Sequence, residues 1–432
     1  MRQINSQYDV IVIGGGASGM IAAGRAAESG ARVLLIEKNK KLGEKLAISG
    51  GGRCNITNAE EDVRTLLKKY GDAEQFLYSL FARFGVPETF SFFEKRGLPL
   101  VVQARKRAFP QTERATDVVR VLRTYIERNK VAVRMGTPVV KITRGNDGIT
   151  GVVAGKETFH AGAYILATGG ISHPETGSTG DGLGWLTGVG HTVHTPTPTI
   201  VPLATKEAWS KLLAGVSLSF MKITFYADGK KTFSEKGKVL FTHFGLSGPL
   251  ILNSAHRVAD SIAGGARVTA RIDAYPDTDH GALERRIVAL FDKHKNKSLK
   301  NIIKDCTPEG TSKGMLALLK GHVDTEKKVH SITREERKYL VDILKALPLT
   351  VTGLMGFDRA VIADGGVALT EVDMRTMRSK KYPNLFITGD LLHITRPSGG
   401  FSLQLCWSTG YVAGEEAALT AKGRAQKESA RP

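Results

Sequence analysis

The chain has 432 residues, 61 Lys+Arg against 42 Asp+Glu and a formal net charge of +19. That length exceeds one simple core and calls for two or three domains, and 41% apolar residues exclude a disordered chain. No run approaches the roughly 18 apolar residues of a membrane helix, and Cys54, Cys306 and Cys406 are too scattered for a disulfide framework or a zinc site.

Residues 8–13 form a short apolar run rich in β-branched side chains, the signature of a buried parallel strand. No signal-peptide pattern precedes it, so the expected compartment is the cytoplasm, with no membrane association and no metal. Gly14-Gly15-Gly16-Ala17-Ser18-Gly19 follows at once, then a helix-period stretch ending at Gly30 and a second apolar run at 33–36. Each part of this β-α-β unit has a mechanical reason. Gly14 permits a tight turn, Gly16 lets the backbone approach a pyrophosphate, and Gly19 lets the helix lie close to the strand. Ala17 and Ser18 open the helix, whose unpaired N–H groups face the phosphate charge. Glu37 stands at the end of the second strand, 18 residues after Gly19, where a carboxylate accepts the ribose hydroxyls. These residues predict a dinucleotide site. Its position at the start of the chain favours FAD, and with no second fingerprint any nicotinamide binds transiently. The glycines at 177–182 do not follow a strand and read as a loop before a helix.

Residues 60–145 read as helices over 63–70, 73–84, 87–96 and 116–129, the last capped by Thr116-Asp117. Between them lies a basic loop, 103–110, with Arg105, Lys106 and Arg107 beside Phe109. It is either simply solvated or a clamp for an anionic substrate. Thr195-Pro196-Thr197-Pro198-Thr199 reads as a linker. Strand-like alternation follows at 216–225, 238–241 and 266–274, and then a basic helical stretch from 281 to 347. Lys293, Lys295, Lys297, Lys300 and Lys304 fall in one short span of it. Pro348 is expected to return the chain to the first domain, and the tail after Thr420 to fray. The expected division is 1–190 with 348–432 as the nucleotide domain. The insert is then 191–347, β-rich to about 277 and helical from 278.

Ser49-Gly50-Gly51-Gly52-Arg53-Cys54-Asn55-Ile56-Thr57-Asn58 has a more particular likeness. With 166–174, 242–249 and Ile387-Thr388-Gly389-Asp390, it resembles the HI0933-like bacterial flavoproteins, often labelled "NAD(FAD)-utilizing dehydrogenases". The resemblance spans nearly the whole chain. It implies an α/β fold: a Rossmann-like, glutathione-reductase-like FAD domain with an inserted β-rich and helical domain. It extends the cofactor set beyond the fingerprint to Lys38, Lys45, Ser49, Gly51, Gly52, Arg53, Cys54, Asn55, Val139, Thr168, Gly169, Gly389, Asp390, Gly400 and Phe401. The segment 391–397 departs from the usual family pattern, which bears on substrate contacts rather than on FAD.

The resemblance also implies an FAD-dependent oxidoreductase with NAD(P)H as electron donor. Family members are linked to reduction of conjugated steroid enones and to reduction of uridine to dihydrouridine in ribosomal RNA. Both add hydride to the β-carbon of a conjugated carbonyl, and an acid protonates the α-carbon. The candidates for that acid are Cys54 first, then His393 and His173. Charge decides between the substrates. The surplus is +7 at 60–145 and +9 at 191–347, against +6 for 1–59 and 348–432 together. A steroid needs no basic surface, whereas RNA needs phosphates neutralised. The leading expectation is therefore a dihydrouridine-forming reductase of ribosomal RNA, or of another polyanion. The alternatives are a small-molecule enone reductase and a flavin-stabilised RNA-binding factor without turnover.

Overall fold

The apolar run Val10–Ile13 becomes strand β1, buried at every position. Helix α1 (Ala17–Glu28) and β2 (Val33–Ile36) complete the β-α-β unit. The computed structural model describes residues 8–429. With β3 (Ala132–Arg134), β4 (Ala163–Leu166) and the late strand Leu385–Ile387, these strands form a five-stranded sheet. Every pairing in it is parallel. Its order is Leu385–Ile387, β4, β1, β2, β3, so the chain runs outward on one side of β1 and later returns on the other. The cleft beyond β1 and β4 is therefore the topological switch point, where doubly wound sheets bind their ligands.

Two glycines set the geometry there. A Cβ on Gly19 would overlap the Gly14 carbonyl oxygen, and one on Gly14 would overlap the carbonyl oxygen of Ala167, just past β4. Gly14 also has φ of 106°, which side chains rarely adopt. The helix start is thus pressed onto the ends of both central strands. The long helix Phe401–Ser429 packs behind α1.

Contacts divide the chain into two units, one of residues up to 197 and from 361 onward, the other Pro198–Ala360. In the second, six strands close a barrel in the order Leu203–Thr205, Gly245–Ser247, Lys230–Phe241, Ser217–Ala227, Val268–Asp273, Leu347–Leu354. Its interior is filled by Ile223, Phe225, Phe241, Ile272 and Leu349. Helices His280–Lys293, Leu299–Cys306, Ser312–Leu319 and Arg334–Lys345 bury Ile287, Ile302, Met315 and Leu344 in the same core. The α/β class, with its parallel nucleotide-type sheet and β-rich plus helical second part, is as expected. Among the described residues no helix is long and apolar enough to cross a membrane.

Several local expectations are corrected. Pro348 does not return the chain to the first unit, because Leu347–Leu354 is the closing strand of the barrel. The units divide at 197/198 and 360/361, seven and thirteen residues later than expected. The Pro/Thr stretch is a strand, Val193–Ile200, paired with Ile362–Val367. A two-stranded sheet offers edge positions, where prolines cost no ladder bond. The basic 103–110 loop is a hairpin, Leu100–Gln103 with Arg107–Pro110, turning through Ala104–Lys106. Helix Ala115–Arg128 starts after Arg114, so Thr116-Asp117 is inside its first turn. The tail remains helical to Ser429, and residues 430–432 lie outside the described residues.

Glu371 ties the returning segment to the Val193–Ile200 strand. It accepts from the Thr192 amide at 3.0 Å and hydroxyl at 2.9 Å and pairs with Lys381 at 2.9 Å. Burial works to raise its pKa, but Lys381 and Thr192 outweigh that and hold it near 2, from an ordinary 4.5. A depressed folded value stabilises fully above pH 4.5 and is lost as the pH falls through 2. Glu371→Gln should therefore cost about 1–2 kcal/mol at pH 7 and progressively less below pH 4, read by urea unfolding across that range. An equal cost at pH 7 and pH 2.5 would contradict the assignment. By the same measurement, Gly19→Ala should cost about 2–3 kcal/mol in flavin-free protein.

Candidate functional site

The glycine loop presents donors without protein partners. Gly16 precedes α1 and supplies no side-chain cap, and no acidic residue occupies the first turn. The first N–H groups of the helix therefore point outward unpaired. Ser18 Oγ is buried and has no hydrogen-bond partner. An added Cβ on Gly16 would meet nothing within 4 Å, so this glycine faces open space where Gly14 and Gly19 face backbone. Glu37 is 9% exposed, yet its carboxylate is held: Oε2 accepts from the Gly15 amide at 2.6 Å and Oε1 from the Asn39 amide at 2.8 Å. Each oxygen keeps acceptor capacity for a hydroxyl. Orphan amides, an orphan hydroxyl, an open glycine face and a fixed acid fit the adenosine diphosphate part of FAD. Lys38 turns elsewhere, pairing with Asp181 at 2.7 Å and bonding to Thr179 in the loop before helix Asp181–Gly188.

A second cluster adjoins the first. Gly389 begins a short 3-10 turn after Leu385–Ile387, its amide bonded to Thr409 Oγ1 at 3.1 Å. A Cβ there would lie 3.4 Å from that of Ser18. Asp390 is gripped by Arg396 and faces Lys45 at 3.9 Å. Lys45 donates to Ser172 Oγ at 2.6 Å. Burial pulls its pKa below the usual lysine range, against the opposing pull of Asp390. Arg396 is not among the residues expected from the sequence. Its side chain is 1% exposed, with Nε on Ser402 at 3.0 Å, Nη1 on the Ile394 carbonyl at 2.7 Å and Nη2 on Asp390. It lies in the segment that departs from the family pattern, and that departure was its one signal. Thr168 and Gly169 follow β4, with Gly169 at φ 73° and Thr168 Oγ1 turned toward Gly182. Val139 is half-buried at the start of strand Val139–Gly145.

The glycine-rich segment forms a third part. Ser49 Oγ caps the Leu46 carbonyl at 2.7 Å, and Gly50, Gly51 and Gly52 run at φ 57°, 68° and 84°. Added Cβ atoms on Gly51 and Gly52 would touch nothing within 4 Å. Asn55 Oδ1 is buried without a partner. Arg53 swings away, over the Phe109 ring at 4.2 Å and onto Gln103 at 2.7 Å, with Glu113 at 3.4 Å. Arg107 lies over the same ring at 5.7 Å. Its pKa is lowered first by burial, then by Arg105 and Arg53. Two arginines thus share one aromatic ring, with Arg105 near Arg107, and a Cβ on Gly50 would lie 3.8 Å from that ring.

Two of the expected site residues have their side chains in the core. Cys54 is 0% exposed and packs within the hydrophobic core. Burial pushes its thiol up to about 12, slightly opposed by Ser49, so the thiol stays protonated at neutral pH. Phe401 is a core residue: its ring meets Tyr70 edge-on at 5.8 Å, and the Tyr70 hydroxyl donates to its carbonyl. Gly400 is pressed onto the Thr57 backbone. The two histidines remain outside the core. His173, at φ 52°, pairs with Glu175 at 2.8 Å and follows the serine that binds Lys45. His393 lies between Asp390 and Arg396, stacked on His194 at 4.3 Å, with Nδ1 buried and unpartnered. Burial and then His194 lower its pKa, so it is neutral at pH 7.

Relatives and folds agree with this geometry. The chain is 28% identical to the 3-dehydro-bile acid delta(4,6)-reductase of Clostridium scindens, over 94% of this chain and 98% of that one. It is equally 28% identical to the ribosomal RNA dihydrouridine synthase of Escherichia coli, over 95% and 98%. The fold is shared with a flavocytochrome c3 fumarate reductase (TM-score 0.54, 18% identity, 96% of this chain and 79% of that one). It is also shared with the 3-ketosteroid delta1-dehydrogenase of Sterolibacterium denitrificans (TM-score 0.53, 14% identity, 95% and 99%). The HI0933-like protein Rossmann domain matches residues 8–416, so the chain belongs to the HI0933-like family and is an FAD-dependent oxidoreductase.

Proposed function

We propose that the protein reduces a uridine C5=C6 bond of ribosomal RNA to dihydrouridine, with NAD(P)H as the reductant. One observation carries the reading: Arg53 and Arg107 lie over the Phe109 ring beside the glycine-rich segment, with the charge of Arg105 close enough to act on Arg107. A small neutral enone gives such a cluster nothing to bind, whereas a nucleotide phosphate does. Charge elsewhere supports it. Residues 198–360 carry a net +9, and Lys293, Lys295, Lys297 and Lys304 are exposed with no ion pair among the described residues. An rRNA substrate also places the protein in the cytoplasm.

Bound FAD would supply the hydride chemistry, with NAD(P)H as the source of the hydride and uridine C6, the β-carbon of the C4 carbonyl, as its destination. The chain's own residues do the rest. The α1 amides, Ser18 and Glu37 hold the adenosine end of the cofactor, and Lys45 and Asp390 border its other part. The base has to leave its stack to reach a buried cofactor, and the arginine cluster holds the phosphates beside it. His393 would act in its imidazolium form, which the lowered pKa makes a stronger acid: it takes a proton from solvent and passes it to C5 as hydride arrives at C6, so that one NAD(P)H and one proton yield one dihydrouridine. Of the two remaining histidines it is the one assigned the role, because its Nδ1 has no protein partner while that of His173 is bonded to Glu175.

The Clostridium relative's name supports a second reading, reduction of a conjugated steroid-like enone by the same hydride and proton chemistry. Reoxidation of the reduced flavin separates the two: uridine-containing rRNA should drive it under the first reading, and a steroid enone under the second.

Ribosomal RNA from cells lacking the gene should contain less dihydrouridine by mass spectrometry, restored by the wild-type gene. Unchanged content would sink the reading. His393→Gln should lower turnover about 100-fold or more with flavin content unchanged. Cys54→Ala should lose about 1 kcal/mol of stability and keep turnover within about twofold. Abolished turnover in flavin-loaded Cys54→Ala would return the proton donor to that thiol.

A further inference from the structure

Among the described residues Phe220 is the most exposed large apolar side chain, at 79%. It also has φ of 61°, a conformation that costs a bulky residue strain and that glycine or asparagine adopts freely. The cause is local. Strand Ser217–Ala227 pairs with Lys230–Phe241 as Leu218↔Val239 and then Met221↔Gly237. Ser219 and Phe220 therefore face Lys238 alone, two residues against one, which is a β-bulge. The bulge also coincides with the end of pairing to Val268–Asp273, which begins at Lys222. Ending that pairing needs a bulge and does not need an aromatic ring held in solvent.

The surroundings are basic. Lys238 is exposed with no ion pair among the described residues. Lys222 and Lys236 are directly opposed across the same strand pair, and the one acid that relieves the pair, Asp277, is bonded to Lys236, leaving the Lys222 charge on that side with no ion pair among the described residues. The nearby acids are already engaged: Asp277 by Lys236 at 2.8 Å, Asp273 by Lys345 at 2.7 Å and Glu235 by Arg257 at 3.3 Å. An uncovered ring within a row of cations is how proteins hold single-stranded nucleic acid: the ring stacks a base and the cations track the backbone.

We infer that Phe220 is a base-stacking platform for single-stranded RNA, with Lys238 and Lys222 holding the adjoining phosphates. The inference rests on the RNA reading above and adds a binding site on the barrel, in a different unit from the nucleotide cradle. The strain at Phe220 keeps the ring out of the core and free for the base.

The test uses the full-length, flavin-loaded protein, a fluorescein-labelled single-stranded U-rich RNA of about 20 nucleotides, and heparin as a polyanion without bases. Phe220→Ala should weaken RNA binding about 5- to 100-fold and leave heparin binding unchanged. Phe220→Gly should do the same while unfolding at or above the parent's temperature, because glycine relieves the strain; its loss of binding is then not a loss of fold. Phe220→Trp should keep the affinity, and its fluorescence should be quenched by RNA. Lys238→Gln should lower the slope of log affinity against log salt by about one. Parent-like RNA binding by Phe220→Ala and Phe220→Gly would overturn the platform. The two readings fail separately. A parent that binds RNA and makes dihydrouridine, with both variants unchanged, overturns the platform alone. A parent that needs Phe220 to bind RNA but makes no dihydrouridine overturns the function alone.

Discussion

The first turn of α1 lies against the Gly14 carbonyl with no room for a side chain between them. Much of the nucleotide unit follows from that contact. It brings the unpaired amides of the helix to the ends of β1 and β4, where the strand order reverses. Gly14 in turn rests on the Ala167 carbonyl, so β4 and the Thr168-Gly169 turn share the same mouth. From behind, the C-terminal helix closes on α1 through Gly410 and Gly414, which lie against the Ser18 and Ala22 carbonyls. Gly389 then comes beside Ser18. Residues almost four hundred positions apart are thus gathered around one helix end by a few hydrogen-for-side-chain substitutions.

Charge at that helix end is handled in two ways. Glu37 is neutralised by dipoles, with the Gly15 and Asn39 amides on its oxygens, and it keeps lone pairs for a hydroxyl. Asp390 is neutralised by ions, with buried Arg396 bonded to it and Lys45 beyond. Arg396 spends its other donors on Ser402 and the Ile394 carbonyl, so a buried cation is left with no unsatisfied edge. Counting the three ions, the cluster retains one positive charge. Lys45 is the member whose pKa burial lowers, and a phosphate brought near would restore it. An anionic cofactor and this cluster therefore stabilise each other's charged forms.

The β-α-β unit was legible because its signals are local: a buried run, a glycine spacing and an acid within forty residues. The barrel was only half legible. Strands at 217–227 and 268–273 showed alternation, but the closing strand Leu347–Leu354 followed a helical run and carries Pro348, so it read as a return to the first unit. Its place is set by pairing with strands about eighty and one hundred and fifty residues earlier, which no window reveals. Proline misled at 193–200 for a related reason: its lack of a donor matters only if a partner needs that donor. Cys54 misled because a position next to a cofactor loop says nothing about which way a side chain points. Arg396 was invisible because its burial depends on Asp390, Ser402 and a carbonyl meeting around it.

The two features proposed to face RNA call on different physics. The arginines around Phe109 and the lysines of residues 198–360 act through charge, which is long-ranged, sequence-blind and weakened by salt. That suffices to collect a polyanion but not to present one base. Presenting a base needs a contact with a face rather than a field, and an aromatic ring held in solvent offers it. Phe220 provides such a ring from a backbone conformation that glycine would occupy at less cost. A chain shaped by stability alone would not keep a phenylalanine there. On the proposed reading, charge would account for the encounter with RNA, and the strained aromatic for why a single strand would be held in preference to a duplex, whose bases are already stacked on one another.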